Sequence, residues 1–163
     1  MSTTNITTRN LELVLQTPEE TAALIDGMTP SEKAELSADW LAQIQSATSS
    51  NPWLHGFTLI QRARDAVIGS CGFKGPPTAD GVVEIAYGIA PDYQGNGYAT
   101  EAAQALVSYA FSNSKIRIVR AHTRPEPNAS TRVLTKCGFR RVGDVMDPDD
   151  GLVWRWEKDD ESA

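Results

Sequence analysis

Two features of this chain have residue types and spacings that could do chemistry. The first is the stretch Gly88-Ile89-Ala90-Pro91-Asp92-Tyr93-Gln94-Gly95-Asn96-Gly97-Tyr98-Ala99-Thr100-Glu101-Ala102. A short apolar segment, Val82 to Ala90, precedes its loop and reads as a buried strand. Ala99, Ala102, Ala103, Leu106, Val107 and Ala110 follow at the i, i+3, i+4, i+7 spacing of an amphipathic helix. The first turn of such a helix has N–H groups without intrahelical partners, and the macrodipole adds partial positive charge there. Gly95 and Gly97 would let a ligand oxygen approach the backbone closely. An anion site built from the N–H groups of residues 95 to 100 is the expectation, with an ordinary tight turn as the plain alternative.

The second feature is Glu84. Alternation along the strand puts Val83, Ile85, Tyr87 and Ile89 on one face and Glu84, Ala86, Gly88 and Ala90 on the other. A carboxylate in an otherwise apolar strand is costly unless it is paired, solvated or used. Its same-face neighbours are small, which leaves room for water or a ligand beside it.

The kind of anion is narrowed by what the loop lacks. A dinucleotide fingerprint would need a third glycine where Thr100 stands, and an acid about 20 residues on, where Lys115, Arg117 and Arg120 lie. No Gly-Lys-Ser/Thr follows the loop, so a nucleoside triphosphate site is disfavoured as well.

The longer pattern is more specific. Tyr87-Gly88-Ile89-Ala90-Pro91, then Gln94-x-x-Gly97-x-Ala99, then Thr100-Glu101-Ala102 resembles the acetyl-CoA-binding signature of the GNAT N-acetyltransferases. A second block, Asn128-Ala129-Ser130-Thr131-Arg132-Val133-Leu134-Thr135-Lys136-Cys137-Gly138-Phe139, resembles the downstream helix and strand entry of that superfamily. The resemblance runs from about Thr8 to Trp156 and is greatest to the branch of ribosomal-protein-alanine N-acetyltransferases.

It implies an α/β (α+β) fold with a mixed, mostly antiparallel sheet of about six to seven strands flanked by about four helices. The sheet would splay between the central strand and the parallel strand after it. Acetyl-CoA would enter that notch as co-substrate, with Ile89 and Ala90 along the pantetheine arm. Gln94, Gly95, Asn96, Gly97, Tyr98, Ala99 and Thr100 would surround the pyrophosphate. Glu84 would be the general base that helps deprotonate an acceptor amine, with burial raising its pKa. The structural alternative is a Glu84 held in an ion pair with an arginine.

Many relatives protonate the CoA thiolate with a Tyr on the downstream helix, but residues 129 to 137 contain none. Ser130 sits in the matching position, and an ordinary first-turn serine remains the alternative. Asn128 could cap that helix, contact the pantetheine, or both. Trp53, His55, Tyr87 and His122 are candidate acceptor-pocket residues. Activity would be direct transfer to a primary amine, on a protein N-terminus or a small molecule. A non-catalytic acyl-CoA-binding sensor is the alternative, and the resemblance is compatible with a homodimer.

Composition sets outer limits. At 163 residues the chain is expected to be one domain, with 1–6 and 158–163 as loose ends. Fifteen basic against 21 acidic residues, net −6, speak against a general nucleic-acid binder. No apolar run is long enough to span a membrane, and the Ser/Thr-rich start lacks a signal-peptide pattern, so cytoplasm is the expected compartment. Two histidines and two cysteines are too few and scattered for a metal site; Cys71 and Cys137 read as reduced and structural.

The positioning elements follow from local signals. Leu11, Leu13 and Leu15 suggest a strand over about 9–16. Thr17-Pro18-Glu19-Glu20 and Thr29-Pro30-Ser31-Glu32 are capping boxes, each opening a helix; the second would carry the stripe Leu36, Trp40, Leu41 and Ile44. Strands are expected at 57–61, 67–73 and 116–123, a short helix between Asn128 and Gly138, and a final hairpin around 147–151.

Overall fold

The structure is a computed structural model that describes residues 5–34, 36, 38–148 and 151–160. Strand β1 (Asn5–Thr7) pairs with β2 (Leu11–Leu15). Helices α1 (Pro18–Asp26), α2 (Pro30–Ala34) and α3 (Ala38–Ser46) follow, then β3 (Phe57–Gln61), β4 (Ala66–Phe73) and β5 (Val82–Ile89). After β5 come α4 (Tyr98–Phe111), β6 (Ile118–Thr123), α5 (Ala129–Lys136), β7 (Arg140–Asp147) and β8 (Gly151–Asp159). The eight strands form a sheet of order β1-β2-β3-β4-β5-β6-β8-β7. Every pair is antiparallel except β5–β6, which a helical crossover joins and which is therefore parallel.

Helix α4 is the centre of the core. Ala102, Ala103, Leu106 and Ala110 are buried along it and meet Leu11, Leu13, Leu59, Ile68, Val83 and Ile85 from the sheet. The strict alternation of β2, with Leu11, Leu13 and Leu15 all inward, fixes which face of the sheet receives the helix. Glu101 anchors the N-terminal turn of α4 to the other end of the chain. It accepts from the Thr8 hydroxyl, from Asn10 N–H at 2.8 Å and from Asn10 Nδ2 at 2.9 Å.

Several expectations need adjusting. Asn5 and Ile6 are in β1, and Lys158 and Asp159 are in β8, so those ends of the chain are not loose where they are described. The sheet has eight strands because short β1 adds an edge to β2, an edge too short for alternation to show.

Both capping boxes form: Thr17 and Glu20 bond reciprocally at 3.0 Å, and Thr29 with Glu32 at 2.9 and 3.2 Å. The helix expected through Leu36 to Ile44 is instead two helices. α2 buries no residue and so has no packing to hold it in line with α3. α3 is fixed separately, by buried Ile44 and by Trp40 Nε1 donating to Leu54 O at 2.9 Å. Among the described residues no helix is long and apolar enough to cross a membrane.

Candidate active site

The parallel pairing of β5 with β6 covers only Val82–Glu84 against Ile118–Arg120. Beyond Glu84 β5 stays paired to β4 alone, out to Gly69↔Ile89. Its backbone groups alternate sides. Ala90 N–H donates to Ile68 O at 2.7 Å and Glu84 O accepts from Lys74 N–H at 2.9 Å, so even-numbered residues face β4. Tyr87 and Ile89 therefore turn their N–H groups into the gap on the β6 side. The Ile89 carbonyl faces the same way and accepts from Gln94 Nε2 at 2.9 Å, which ties the loop back to the strand.

A cavity of about 440 Å³ fills this gap. Ile89, Gln94, Gly95, Gly97, Tyr98, Ala99 and Thr100 line it from the strand, loop and α4, with Tyr87 and Ser130 at its inner end. Gly97 is the α4 N-cap at φ 83°, a left-handed conformation that favours glycine, and no side chain caps the helix there. A Cβ at Gly97 would meet no atom within 4 Å, so the space over the helix N-terminus is open to a ligand. That geometry suits an anionic group placed against unpartnered N–H groups.

A second cavity, about 720 Å³, lies beyond Tyr87 and Ser130 and contains Glu84 and His122. A third, about 610 Å³, sits under Leu36, Trp40, Leu54 and Phe73, and Tyr87 borders all three. Glu84 is half-buried, at 26% side-chain exposure, and its Oε2 takes two partners. His122 Nδ1 lies 2.9 Å away and Lys74 Nζ 3.3 Å away. Burial alone would raise the Glu84 pKa. The His122 hydrogen bond and the Lys74 charge and hydrogen bond outweigh it, leaving the carboxyl below its ordinary value. The expectation of a raised pKa is thus corrected, and the partners are a histidine and a lysine, not an arginine.

Burial raises the Tyr87 phenol to about 12, against a hydrogen bond with Ser130 and with the Cys137 thiol adding to the rise. The same cause raises Cys71 to about 12 and also raises Cys137, so both thiols are held protonated.

The remaining candidates fall elsewhere. Ala90 and Asn96 do not border the 440 Å³ cavity; Asn96 Nδ2 is spent on Tyr93 O and Gln94 O, at 3.1 and 3.3 Å. Asn128 caps α5, its Oδ1 accepting from Thr131 N–H at 3.0 Å, and it borders the Glu84 cavity instead. Trp53 packs in an aromatic cluster with Phe73 and Tyr109 at centroid distances of 4.7 and 5.7 Å. His55 is fully buried, its Nδ1 accepting from Asn51 N–H at 2.9 Å. Neither borders any of the three cavities, because the turn between α3 and β3 folds both rings inward. Lys74, Arg155 and Trp40 were missed as site-forming residues, and no local spacing marks them, since β4, β8 and α3 meet only through the tertiary fold.

A sheet that splays past Glu84, with a glycine-bearing loop and a bare helix N-terminus under the gap, defines an α/β fold of the acyltransferase type. Residues 8–140 match the family model described as Acetyltransferase (GNAT) domain, and the chain belongs to that family.

The chain is 33% identical over 91 residues to the uncharacterized N-acetyltransferase p20 of Bacillus licheniformis, a match covering 56% of this chain and 51% of that protein. It is 38% identical over 87 residues to the uncharacterized N-acetyltransferase YnaD of Bacillus subtilis, covering 53% and 51%. The match thus spans about half the length of these relatives.

Among solved structures, a GNAT-family acetyltransferase from Bacillus anthracis superimposes with TM-score 0.69 at 21% identity, covering 96% and 98% of the two chains. RimL, the ribosomal L7/L12 alpha-N-protein acetyltransferase solved with coenzyme A, gives 0.71 at 17%, covering 98% and 100%. The aminoglycoside acetyltransferase AAC(6')-Ib with coenzyme A gives 0.64 at 21%, covering 91% and 94%. At such identities the likeness is one of fold.

Proposed function

We propose that this protein is an N-acetyltransferase that moves an acetyl group from acetyl-CoA directly to a primary amine. The carrying observation is the meeting of two cavities at Tyr87 and Ser130, one under the α4 N-terminus and one around Glu84. Ile89, Gln94, Gly95, Gly97, Tyr98, Ala99 and Thr100 would hold acetyl-CoA, whose thioester supplies the electrophilic carbonyl. Asn96 shapes that loop through its two carbonyl contacts, and Asn128 holds α5 in place. The Ile89 N–H faces the gap and can polarise a carbonyl there. Ala90 N–H cannot, because Ile68 O already takes it.

Glu84 binds the acceptor as an ammonium and accepts its proton, directly or through water. Lys74 holds its ammonium against Oε2 of this carboxylate, which leaves Oε1 for the acceptor. Because the Glu84 pKa is lowered, the group is ionised throughout the neutral range. The acid limb of the rate therefore follows the acceptor amine, about pH 8 for an α-amino group and about 10 for an alkyl amine. Ser130, beside Tyr87 where the two cavities meet, would donate its hydroxyl proton or a hydrogen bond to the leaving thiolate. Two protonated thiols offer no nucleophile for an acetyl-enzyme. A protein N-terminus and a small-molecule amine both suit this chemistry. A homodimer rests on the resemblance, and light scattering tests it.

The test is isothermal titration with acetyl-CoA, wild type beside Gly97→Trp, then a panel of α-amino peptides and alkyl amines with Glu84→Gln as control. Binding lost in Gly97→Trp, with kcat down about 10²–10⁴-fold in Glu84→Gln, is expected. No acetyl-CoA binding by folded wild type would overturn the acetyltransferase reading. Binding without transfer to any amine would leave an acyl-CoA sensor.

A further inference from the structure

Glu84 is one end of a polar chain across neighbouring strands. His122 on β6 and Arg155 on β8 are direct cross-strand partners. Arg155 Nε lies 3.1 Å from His122 Nε2, and His122 Nδ1 lies 2.9 Å from Glu84 Oε2. A guanidinium carries only donors, so Nε2 of the histidine must accept. The ring proton then resides on Nδ1 and is donated to Glu84. Both ring nitrogens are occupied, and with Nε2 accepting only the Nδ1–H tautomer satisfies both contacts. Among the described residues Glu84 Oε1 has no hydrogen-bond partner, while Oε2 holds both His122 and Lys74.

We infer that Arg155 is a positioning residue that locks His122 as its Nδ1–H tautomer, so that His122 orients Glu84 and does not itself act as the base. Restraining Oε2 leaves Oε1 for the acceptor's proton. Without Arg155 the ring could flip or present a bare Nδ1 to the carboxylate, two acceptors face to face. The catalytic part of this inference rests on the acetyltransferase reading above.

The second histidine provides an internal reference. His55 Nδ1 accepts from Asn51 N–H, so its proton must be on Nε2, the opposite tautomer. Long-range ¹H–¹⁵N spectra at neutral pH should therefore show one ring of each kind, with His122→Gln assigning the signals. Arg155→Lys, still a pure donor, should keep the Nδ1–H pattern and most of kcat. Arg155→Met should lose that pattern and about tenfold in kcat, one charged hydrogen bond's worth, with KM for acetyl-CoA unchanged. Thermal melts and acetyl-CoA titration check that each variant is folded.

An Nε2–H signal for His122 in wild type would overturn the lock while leaving acetyl transfer intact. A changed tautomer with unchanged kcat in Arg155→Met would overturn the positioning role. Wild type with the Nδ1–H pattern but no transfer would overturn the acetyltransferase reading, and with it the catalytic meaning of the lock.

Discussion

Gly69 on β4 is where the fold controls the site from behind, and Gly69→Ala should disable both. A Cβ built at Gly69 lies 2.1 Å from Gly88 O and 3.1 Å from Ile89 Cα. Ordinary contact begins near 3.4 Å, so the strands must part by about 1.3 Å at the point where β5 borders the gap. The obstructing atoms are backbone, and no side-chain rotation relieves them. Overpacking of this kind costs about 1–3 kcal/mol, and the upper end is expected where only a strand can move. For a chain of this length about 3 kcal/mol corresponds to a fall in Tm of roughly 6–12 °C. The same shift displaces Ile89, and misplacement by about 1 Å can cost on the order of 10²-fold in rate.

The assay is a thermal melt with acetyl-CoA titration and steady-state turnover. Gly88→Ala is the comparison: its Cβ would meet nothing within 4 Å, but it would project where Gly88 borders two of the cavities. It should keep its Tm while weakening ligand binding. A Gly69→Ala protein with wild-type Tm and acetyl-CoA affinity would refute the close-approach argument.

Two further outcomes follow from the side chains around the gap. Tyr87→Phe and Ser130→Ala should each lower kcat about tenfold, and the double variant should be little worse than either, because both side chains line the place where the two cavities meet and act together there; additive losses in the double variant would show that they act separately. Glu101 is also held below its ordinary pKa: burial would raise it, but the Thr8, Asn10 and Leu11 hydrogen bonds outweigh that. Carboxyls depressed in the folded state contribute stability that is complete above the unfolded pKa, about 4.5, and is lost as pH falls through the folded value. Tm should thus be level above about pH 5 and drop below it, and Glu101→Gln should start lower and show a shallower acid limb; an unchanged acid limb in that variant would count against the anchor.

What could be read from the chain alone was what short-range physics encodes. The α4 stripe, the alternation of β2 and both threonine capping boxes are period-and-cap signals, and each formed as the residues require. The loop from Gln94 to Gly97 and its helix N-terminus were legible for the same reason, since loop and helix are contiguous in sequence. Glu84 could be singled out because a charge breaks an apolar strand pattern, but its protonation behaviour could not. That depends on His122 on β6 and Lys74 just past β4, which reverse the effect of burial.

Trp53 and His55 sit in the turn before β3, where Trp53 packs with Phe73 against the core and His55 is buried, and neither borders the three cavities. Arg155 carries no local mark at all. Its role exists only because β8 inserts beside β6 and the antiparallel register sets it opposite His122. Sequence determined the elements and the glycine-bearing loop at the α4 N-terminus, because those depend on neighbours along the chain. Tertiary structure decided the charge state and wiring of the site, because those depend on groups brought together across separate strands.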